Sequence, residues 1–415
     1  MRRKTMGNRR VVITGLGAVS PVGNSMRTSF DSLKEGKNGI DHITRFDTSG
    51  IKAKLAAEVK AFDPGKYFAK IEMMRTDLFV QYAVAAAEEA VKESGIIGRV
   101  DPEKIGVYIA SGIGGIGTLE SEERKLIEKG PGRVSPYFVP MMIANMASGT
   151  VAIRYGCLGP SMSHLSACAS GSNAIGEALR LIRHGYADAC IAGGSEASIT
   201  KVGVAGFSNM LALSQSAEKD AASLPFDKRR SGFVIGEGSA VLVLEEYESA
   251  KARGAKIYAE VAGYGTTTDA YHITSPRPDG KEAARAMEIA LEEAGYKSGE
   301  KIYINAHGTG TVLNDKTETL AIKKALGEDA EKAFISSTKS ATGHMLGAAG
   351  AFEAAVSAMV LNENVLPPTL NLREKDEECD LDYIPLSARD EKVDIVLSNS
   401  LGFGGHNATL AFRRV

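Results

Sequence analysis

The chain has 415 residues, and at about 150 residues per domain this length predicts two or three structural units. Lys and Arg number 49 and Asp and Glu number 51, so the net charge of −2 argues against binding of nucleic acid or an anionic membrane through bulk charge. The four cysteines, Cys157, Cys168, Cys190 and Cys379, form no C-x-x-C pair and no zinc-type cluster, which argues against a disulfide framework and a metal site.

The N-terminus is basic, MRRKTMGNRR, and runs directly into an apolar segment at Val11. It lacks the apolar stretch and small-residue cleavage site of a signal peptide, and no run of about 18 apolar residues occurs in the chain. We therefore expect a soluble, cytoplasmic protein whose translation starts at Met1 or at Met6.

Apolar β-type runs alternate with amphipathic helical patterns along most of the chain. This alternation predicts an α/β fold with largely parallel sheets that are covered by helices. Two stretches, Ser121 to Pro140 and Gly206 to Phe233, are predicted as irregular insertions that wall a site and build a subunit interface. In chain order, the predicted elements are a strand from Val11, a helix from Leu78 to Ser94, a strand from Lys104, a strand from Ser161 to Ser166, a helix from Ala169 to His184, a strand from Ala189 to Ala192, helices from Glu282 to Ala294 and from Lys316 to Leu326, a strand from Phe334 to Ser337, a helix from His344 to Leu361 and a strand from Ile395 to Leu397.

The second part of the chain loosely repeats the first. GEGSAVLVLEE, from Gly236, resembles GGHNATLAFRR, from Gly404, and KIGVYIASGIGG resembles KIYINAHGTGT. Each of the last two segments is a β-type run that ends in a glycine-rich turn. We therefore predict two duplicated β/α halves, residues 1–254 and residues 255–415.

Cys168 lies in SACASGS, where a β-type run meets a helical pattern. Free peptide N–H groups at a helix N-terminus favour a thiolate, whereas an ordinary cysteine is about 3% ionised at pH 7. Small neighbours such as Ala167 and Ala169 would let a carbonyl group approach, with the N–H of Cys168 as an oxyanion donor. We interpret Cys168 as an activated nucleophile, and the alternative is an inert buried cysteine.

Two histidines occupy later glycine-rich turns, His307 in NAHGTGT and His344 in SATGHMLGAAG. Histidines that are placed in this way are candidates for proton or hydrogen-bond donors, and the alternative is a pair of satisfied core histidines. The three motifs together predict a thiol nucleophile with two donors.

These motifs, with NSLGFGGHNA near the C-terminus, resemble those of the β-ketoacyl-acyl-carrier-protein synthases, the elongating condensing enzymes of fatty acid biosynthesis. The resemblance runs from VVITGLGAVSPVG to the last strand. It implies a thiolase-like fold with two halves in a five-layered α-β-α-β-α core, and a homodimer with the active site near the interface. It also implies acyl carrier protein, charged with acyl and malonyl groups, as the partner, and neither a cofactor nor a metal.

The resemblance assigns roles to the catalytic residues. Cys168 would attack the acyl thioester, and its own N–H and that of Phe403 would form the oxyanion hole. His307 and His344 would donate through Nε2–H to the enolate that remains when malonyl loses carbon dioxide.

The resemblance also assigns supporting and substrate-binding residues. Lys339 would orient the histidines, and Asp315 and Glu353 would be the partners that a buried ammonium needs. Two threonines would hydrogen-bond the pantetheine arm, and an isoleucine would line the acyl tunnel at the subunit boundary. The implied substrate-binding positions are Thr309, Thr311, Ile113, Phe207, Gly402 and Gly404.

Two assignments stay open. His406 stands where some relatives carry threonine, and we expect a neighbouring hydrogen-bonding role for it rather than direct chemistry. The segment from Lys70 to Arg75 corresponds to a carrier-docking region, but apolar residues interrupt it. Together with Arg133 or Lys66, its two basic residues, Lys70 and Arg75, would attract an acidic carrier protein, and the alternative is an ordinary solvated charged face.

Competing functions differ in their site residues. A thiolase would need a second cysteine near the C-terminus, but Cys379 lies in a charged, loop-like segment. Initiating synthases and plant polyketide synthases carry asparagine where His344 stands, and a non-catalytic chain-length partner subunit would lack Cys168. A ketosynthase of a type II polyketide or other specialised pathway has the same site residues, so it remains the main alternative to an acyltransferase of fatty acid elongation.

Overall fold

The computed structural model describes residues 9–415. The question of a start at Met1 or Met6 lies outside the described residues. Within residues 9–415 no helix is long and apolar enough to cross a membrane.

A five-stranded sheet forms the first half of the fold, in the order β3-β2-β4-β5-β1. Strands β3, β2 and β4 are parallel, whereas β5 is antiparallel to both β4 and β1. Nearly all residues of β1, β2, β4 and β5 are buried, as expected for strands that are covered on both faces. The strands are β1 (Val11–Val19), β2 (Ile105–Ala110), β3 (Ser161–Met162), β4 (Ala189–Glu196) and β5 (Gly238–Glu246).

The second half repeats this topology strand for strand, in the order β8-β7-β9-β10-β6. Strands β8, β7 and β9 are parallel, and β10 is antiparallel to both β9 and β6. The duplication that the sequence predicts is therefore confirmed, with β2 equivalent to β7 and β5 equivalent to β10. The strands are β6 (Ala259–Thr268), β7 (Ile302–Asn305), β8 (Phe334–Ser336), β9 (Ile395–Gly402) and β10 (His406–Arg413).

The two five-stranded sheets are joined by hydrogen bonds between β1 and β6, where Val12 pairs with Glu260 and Ile13 pairs with Ala259, so all ten strands form one continuous network. The predicted division near residue 254 lies in the connection from Ala252 to Ala259, which leads into β6. This division stays a prediction. Two small antiparallel pairs lie outside the main sheets, namely Asp41–His42 with Leu55–Ala56 and Val365–Leu366 with Arg389–Asp390.

Helices form three layers around the sheets. Helix α3 packs on β1, β4 and β5, α10 packs on β6 and β10, and α7 and α13 lie between the two sheets, which completes the predicted α-β-α-β-α arrangement. The helices are α1 (Met26–Lys34), α2 (Lys70–Met73), α3 (Leu78–Ser94), α4 (Ile116–Lys129), α5 (Phe138–Met142), α6 (Met146–Tyr155), α7 (Ser170–Arg183), α8 (Lys201–Asn209), α9 (Tyr247–Ala252), α10 (Lys281–Glu293), α11 (Val312–Leu326), α12 (Lys339–Thr342) and α13 (Ala349–Glu363).

The central helices follow from their composition. Every residue of α13 from Ala349 to Leu361 is buried, because a helix between two sheets has no solvent-facing side. Its small residues, among them Gly350 and Ala351, allow α7 to approach closely: a Cβ at Gly350 would lie 2.3 Å from the Ser172 hydroxyl oxygen. The two central helices therefore bring their N-terminal ends, and the turns before them, to one place.

Most predicted helices are confirmed, and α3 has the predicted bounds Leu78–Ser94. The prediction that Ser121 to Pro140 is irregular is wrong, because most of this stretch lies in α4 and in the start of α5. The predicted strand from Ser161 to Ser166 is shorter, with only Ser161–Met162 paired to β2. Gly206 to Phe233 is largely irregular after α8, as predicted.

Candidate active site

Cys168 lies in a short 3₁₀ turn, Ala167–Ala169, directly before α7. The turn is held locally, since the Ser170 hydroxyl donates to the Ala167 carbonyl at 2.6 Å and accepts from the Ser166 N–H at 2.9 Å. The thiol is thus at a helix start, as the sequence predicts, and it is buried.

Burial raises the pKa of the Cys168 thiol to about 12. The Lys339 charge and hydrogen bonds from the backbone N–H groups of Phe403 and Cys168 lower this pKa, but by less than burial raises it. These groups thus favour the thiolate in the direction that the sequence predicts, but removal of the thiol from water outweighs them. Both N–H groups that the sequence assigns to an oxyanion hole do lie at the sulfur.

His307 and His344 face one another with ring centroids 5.2 Å apart and an interplanar angle of 86°. The Leu346 N–H donates to Nδ1 of His344 at 3.3 Å, so Nδ1 is the acceptor and the ring proton is on Nε2. That Nε2 is buried and has no partner among the described residues. His344 therefore holds a free Nε2–H donor, which agrees with the sequence prediction.

The loop of His307 is fixed by Glu318, a residue that the sequence analysis did not single out. The N–H groups of His307 and Gly308 each donate to the Glu318 carboxylate at 2.8 Å, and the Asn399 amide donates to it at 3.2 Å. Glu318 is three residues after Asp315 on α11 and equally buried. Residues at this spacing lie on the same side of a helix, so the sequence could have indicated Glu318 as a second buried acidic residue next to Asp315.

Burial lowers the pKa of both His307 and His344 well below the ordinary value, and the nearby Lys339 charge lowers both further. Both imidazoles are therefore neutral at neutral pH, and each presents one N–H and one lone pair. A neutral pair can stabilise a developing oxyanion by donation without first losing a proton.

Lys339 is 1% exposed, which excludes the surface position that a lone lysine would favour. Its ammonium pairs with the Glu353 carboxylate, and burial raises the pKa of Glu353 to about 7 although the Lys339 charge lowers it. The predicted Lys339–Glu353 contact is present.

The predicted contact between Lys339 and Asp315 is absent from the described residues. Asp315 instead accepts from the N–H of Phe226 at 2.7 Å and of Gly310 at 3.2 Å, and lies 3.9 Å from the Arg230 guanidinium. The expectation is wrong because the first turn of α11 directs this carboxylate to the loop of residues 309–311. Asp315 therefore supports the threonine loop rather than the lysine.

A cavity of about 490 Å³ opens over the thiol and brings most predicted residues together. Lys339, Glu353 and Asp315 lie behind its wall, and the described lining does not include Gly404. Other lining residues, such as Leu346 and Met210, were not predicted, because they are apolar side chains without a motif of their own. The predicted residues in the lining are Cys168, His307, His344, Thr309, Thr311, Ile113, Phe207, Phe403 and Gly402.

Aromatic rings line the way from the glycine-rich loop of residues 402–405 to the histidines. The Phe207 and Phe403 rings are 6.5 Å apart, Phe207 packs edge-on against Phe233 at 5.6 Å, and Phe233 packs edge-on against His344 at 5.3 Å. Glycine is required at position 402, since a Cβ there would lie 2.7 Å from the Ser166 carbonyl oxygen. This close approach is what brings the Phe403 N–H to the thiol.

The two threonines and His406 have simple positions. The Thr309 and Thr311 hydroxyls are 3.0 Å apart at the cavity wall. His406 begins β10, with its Nε2 beside the Gly404 backbone, where φ is +83°. The lining residues of the described chain do not include His406, so its role stays a prediction.

The basic segment is on the surface. The exposed basic residues are Lys66, Lys70, Arg75 and Arg133, and the Arg75 guanidinium stacks over the Tyr137 ring at 4.6 Å.

The four cysteines are all buried and unbonded, and residues 9–415 contain no group of three or more His, Cys, Asp or Glu that is placed to hold a metal ion.

Known proteins resemble this chain over nearly its whole length. The N-terminal domain of beta-ketoacyl synthase matches residues 8–250, and its C-terminal domain matches residues 258–373. The 3-oxoacyl-acyl-carrier-protein synthase 2 of Synechocystis sp. is 52% identical over 408 residues, which cover 98% of each chain. The protein of the same name from Staphylococcus aureus is 50% identical over 98% of this chain and 99% of its own.

Solved structures have the same fold. The ishigamide ketosynthase/chain length factor has a TM-score of 0.92 at 36% identity and covers 99% of this chain and 100% of its own. A type II polyketide ketosynthase in complex with its acyl-carrier protein has a TM-score of 0.90 at 34% identity, with 99% and 100% covered. With two domain matches and half of all positions identical to these relatives, the chain belongs to the beta-ketoacyl synthase family.

Proposed function

We propose that this protein is an elongating 3-oxoacyl-acyl-carrier-protein synthase, an acyltransferase that condenses malonyl-acyl-carrier protein with an enzyme-bound acyl chain in fatty acid biosynthesis. The observation that carries the proposal is one apolar cavity that holds a thiol, two neutral imidazoles and two backbone N–H groups at the sulfur. The names of relatives that are 50–52% identical support the same conclusion.

In the first half-reaction, Cys168 attacks the thioester carbonyl of an acyl carrier protein. The N–H groups of Cys168 and Phe403 stabilise the oxyanion, and the pantetheine sulfur leaves. The thiol is neutral at rest, and its proton ends on the departing sulfur, so no net proton is released or consumed. The acyl chain then lies on Cys168 in the cavity beside Ile113.

In the second half-reaction, malonyl-acyl-carrier protein loses carbon dioxide, and the electron pair of the broken bond forms an enolate. The Nε2–H of His344 and a ring N–H of His307 stabilise the enolate oxygen. The enolate carbon attacks the acyl thioester, Cys168 leaves as a thiolate, and a proton from solvent restores the thiol. Thr309 and Thr311, at the cavity wall, would hold the pantetheine arm.

A homodimer is part of the proposal. The edge strand β3 is exposed on both faces, and large apolar residues surround it. A group of large exposed apolar residues at one sheet edge is typical of a protein–protein interface. The exposed residues are Ile153 at 81%, Leu158 at 71%, Met162 at 51% and Leu165 at 59%.

Acyl carrier protein is the proposed partner. The exposed cations Lys66, Lys70, Arg75 and Arg133 would attract an acidic carrier, and a structural neighbour is a ketosynthase in complex with its acyl-carrier protein. A cytoplasmic location stays a prediction from the sequence.

A ketosynthase of a type II polyketide pathway remains the second candidate, since solved polyketide ketosynthases share the fold at 34–36% identity. A non-catalytic chain-length partner is disfavoured by the presence of Cys168 in the cavity. The test is to incubate the purified protein with acyl- and malonyl-carrier proteins and to identify products by mass spectrometry. A single two-carbon extension supports fatty acid elongation, repeated extension without reduction supports the polyketide function, and no condensation refutes both.

A further inference from the structure

Glu196, the last residue of β4, is completely buried beside the cavity. Its carboxylate accepts from the N–H groups of Gly112 at 2.7 Å, Gly347 at 3.0 Å and Ile113 at 3.3 Å. The hydroxyls of Ser111 and Ser198 also donate to it, both at 3.0 Å. One carboxylate thus binds five donors: four come from two turns that belong to different halves of the fold, and the fifth is Ser198, two residues after Glu196.

The two turns touch at their backbones. A Cβ at Gly347 would lie 2.2 Å from the Gly112 nitrogen, and a Cβ at either glycine would lie 2.8 Å from the Glu196 carboxylate. Only glycine fits at both places, so the carboxylate joins the two backbones with no side chain between them. The position of each turn therefore depends directly on Glu196.

Each turn carries a residue of the cavity wall, Ile113 in the first turn and Leu346 in the second. The Ser111 hydroxyl also accepts from the Gly114 N–H at 2.9 Å, which closes the first turn around its isoleucine. A shift of the carboxylate would move both apolar walls.

Glu196 has N–H and O–H donors as partners, and it forms no salt bridge among the described residues. Burial raises the pKa of Glu196, and these hydrogen bonds oppose that rise. A carboxylate that is held by so many donors is expensive to keep out of water, and a turn that only needed packing would not require one.

We propose that Glu196 is a positioning residue that fixes the depth and shape of the acyl cavity by holding the Ile113 turn against the Leu346 turn. This inference rests on the proposed function for its biological meaning, but it can be tested without condensation. The test measures the rate at which a long-chain reagent labels Cys168, relative to the rate for a short-chain reagent.

The experiment labels Cys168 in the full-length protein with iodoacetamides that carry a two-carbon or a twelve-carbon alkyl chain. Intact mass gives the rates, and peptide mapping locates the label. The long-to-short rate ratio is the readout, since the Glu196 charge also raises the pKa of the thiol and would change both rates together. Glu196→Gln places an amide NH₂ against backbone N–H donors, and we expect the ratio to fall about ten-fold, the effect of about one lost hydrogen bond.

The matched control is Glu245→Gln. Glu245 is equally buried but binds Arg253 and Ser249, away from the cavity, so its ratio should equal that of the parent. If Glu196→Gln does not fold, Ser111→Ala removes one donor and should lower the ratio about three-fold in the same direction.

A folded Glu196→Gln or Ser111→Ala protein with the parental ratio would overturn the proposal, and so would equal changes in both rates. Condensation by the parent protein is measured separately. Loss of that activity would refute the proposed function, whereas an unchanged ratio would refute only the role of Glu196.

Discussion

Removal of the Lys339 charge gives the sharpest test of the buried groups behind the histidines. Lys339→Met keeps most of the side-chain volume but leaves the carboxylate of Glu353 buried without the cation that pairs with it. The second carboxylate oxygen of Glu353 already has no partner among residues 9–415. We therefore expect this substitution to destabilise the fold.

The loss of unfolding free energy in Lys339→Met can be estimated from the buried ion pair and from the titration of Glu353. Removal of one partner of a buried ion pair costs about 3–5 kcal/mol. In the folded protein the pKa of Glu353 is about 7, which is above its value in the unfolded chain. Between these two pKa values the unfolded chain loses the proton and the folded protein keeps it, so the free energy of unfolding falls as the pH rises. Loss of the Lys339 charge raises the folded pKa further, and each unit adds about 1.4 kcal/mol. The cost of Lys339→Met should therefore be about 1.4 kcal/mol larger at pH 8 than at pH 6.

Urea unfolding at pH 6 and pH 8 measures this cost, followed by circular dichroism because the chain has no tryptophan. The double variant Lys339→Met/Glu353→Gln should recover most of the lost stability, since no unpaired charge remains. Lys301→Met is the control: its exposed pair with Glu391 is worth about 0–1 kcal/mol at either pH. A pH-independent cost, or a double variant that is no more stable than Lys339→Met, would refute the reasoning.

The other predictions concern the reaction and the pH at which it runs. Cys168→Ala should abolish condensation, and Cys168→Gln should retain malonyl decarboxylation; acyl transfer by the alanine variant, measured by intact mass, would disprove the nucleophile. His307→Ala and His344→Ala should each lower decarboxylation about 10²–10³-fold while Cys168 still becomes acylated, and the reverse pattern would exchange the roles of the two half-reactions. The Lys339 charge lowers the pKa of both imidazoles, so in the Lys339→Met/Glu353→Gln protein the histidines should become protonated at a higher pH than in the parent. As the pH is lowered, this variant should therefore lose decarboxylation activity earlier than the parent, and an unchanged acidic side of the pH–rate profile would contradict this. Ile113→Phe should penalise a fourteen-carbon primer about ten- to hundred-fold relative to a six-carbon primer, because the added volume costs about 1–3 kcal/mol in the cavity, and an unchanged rate ratio would make Ile113 ordinary core.

Sequence alone determined the features that depend on neighbours along the chain. The period of apolar residues located α3 and the start of α7 just after Cys168, and the repeated segments revealed the two halves. Helix periodicity and turn chemistry are local properties, so they can be read without knowing the contacts. In Ser121 to Pro140 the period was missed, because α4 buries few residues and its apolar side chains face outward.

Only the tertiary structure decided properties that depend on distant segments. The Cys168 pKa is set chiefly by burial, and burial depends on both halves, so a helix start alone could not predict that pKa. Asp315, Glu318 and Glu196 likewise each have a partner far away in sequence, namely Phe226, Asn399 and Gly112, and an acidic residue in a buried element does not reveal which N–H groups it will meet. Residue type and spacing thus singled out the candidate reacting groups, whereas the fold determined their protonation and their supports, because solvation and hydrogen bonding are set by what packs around a group in space.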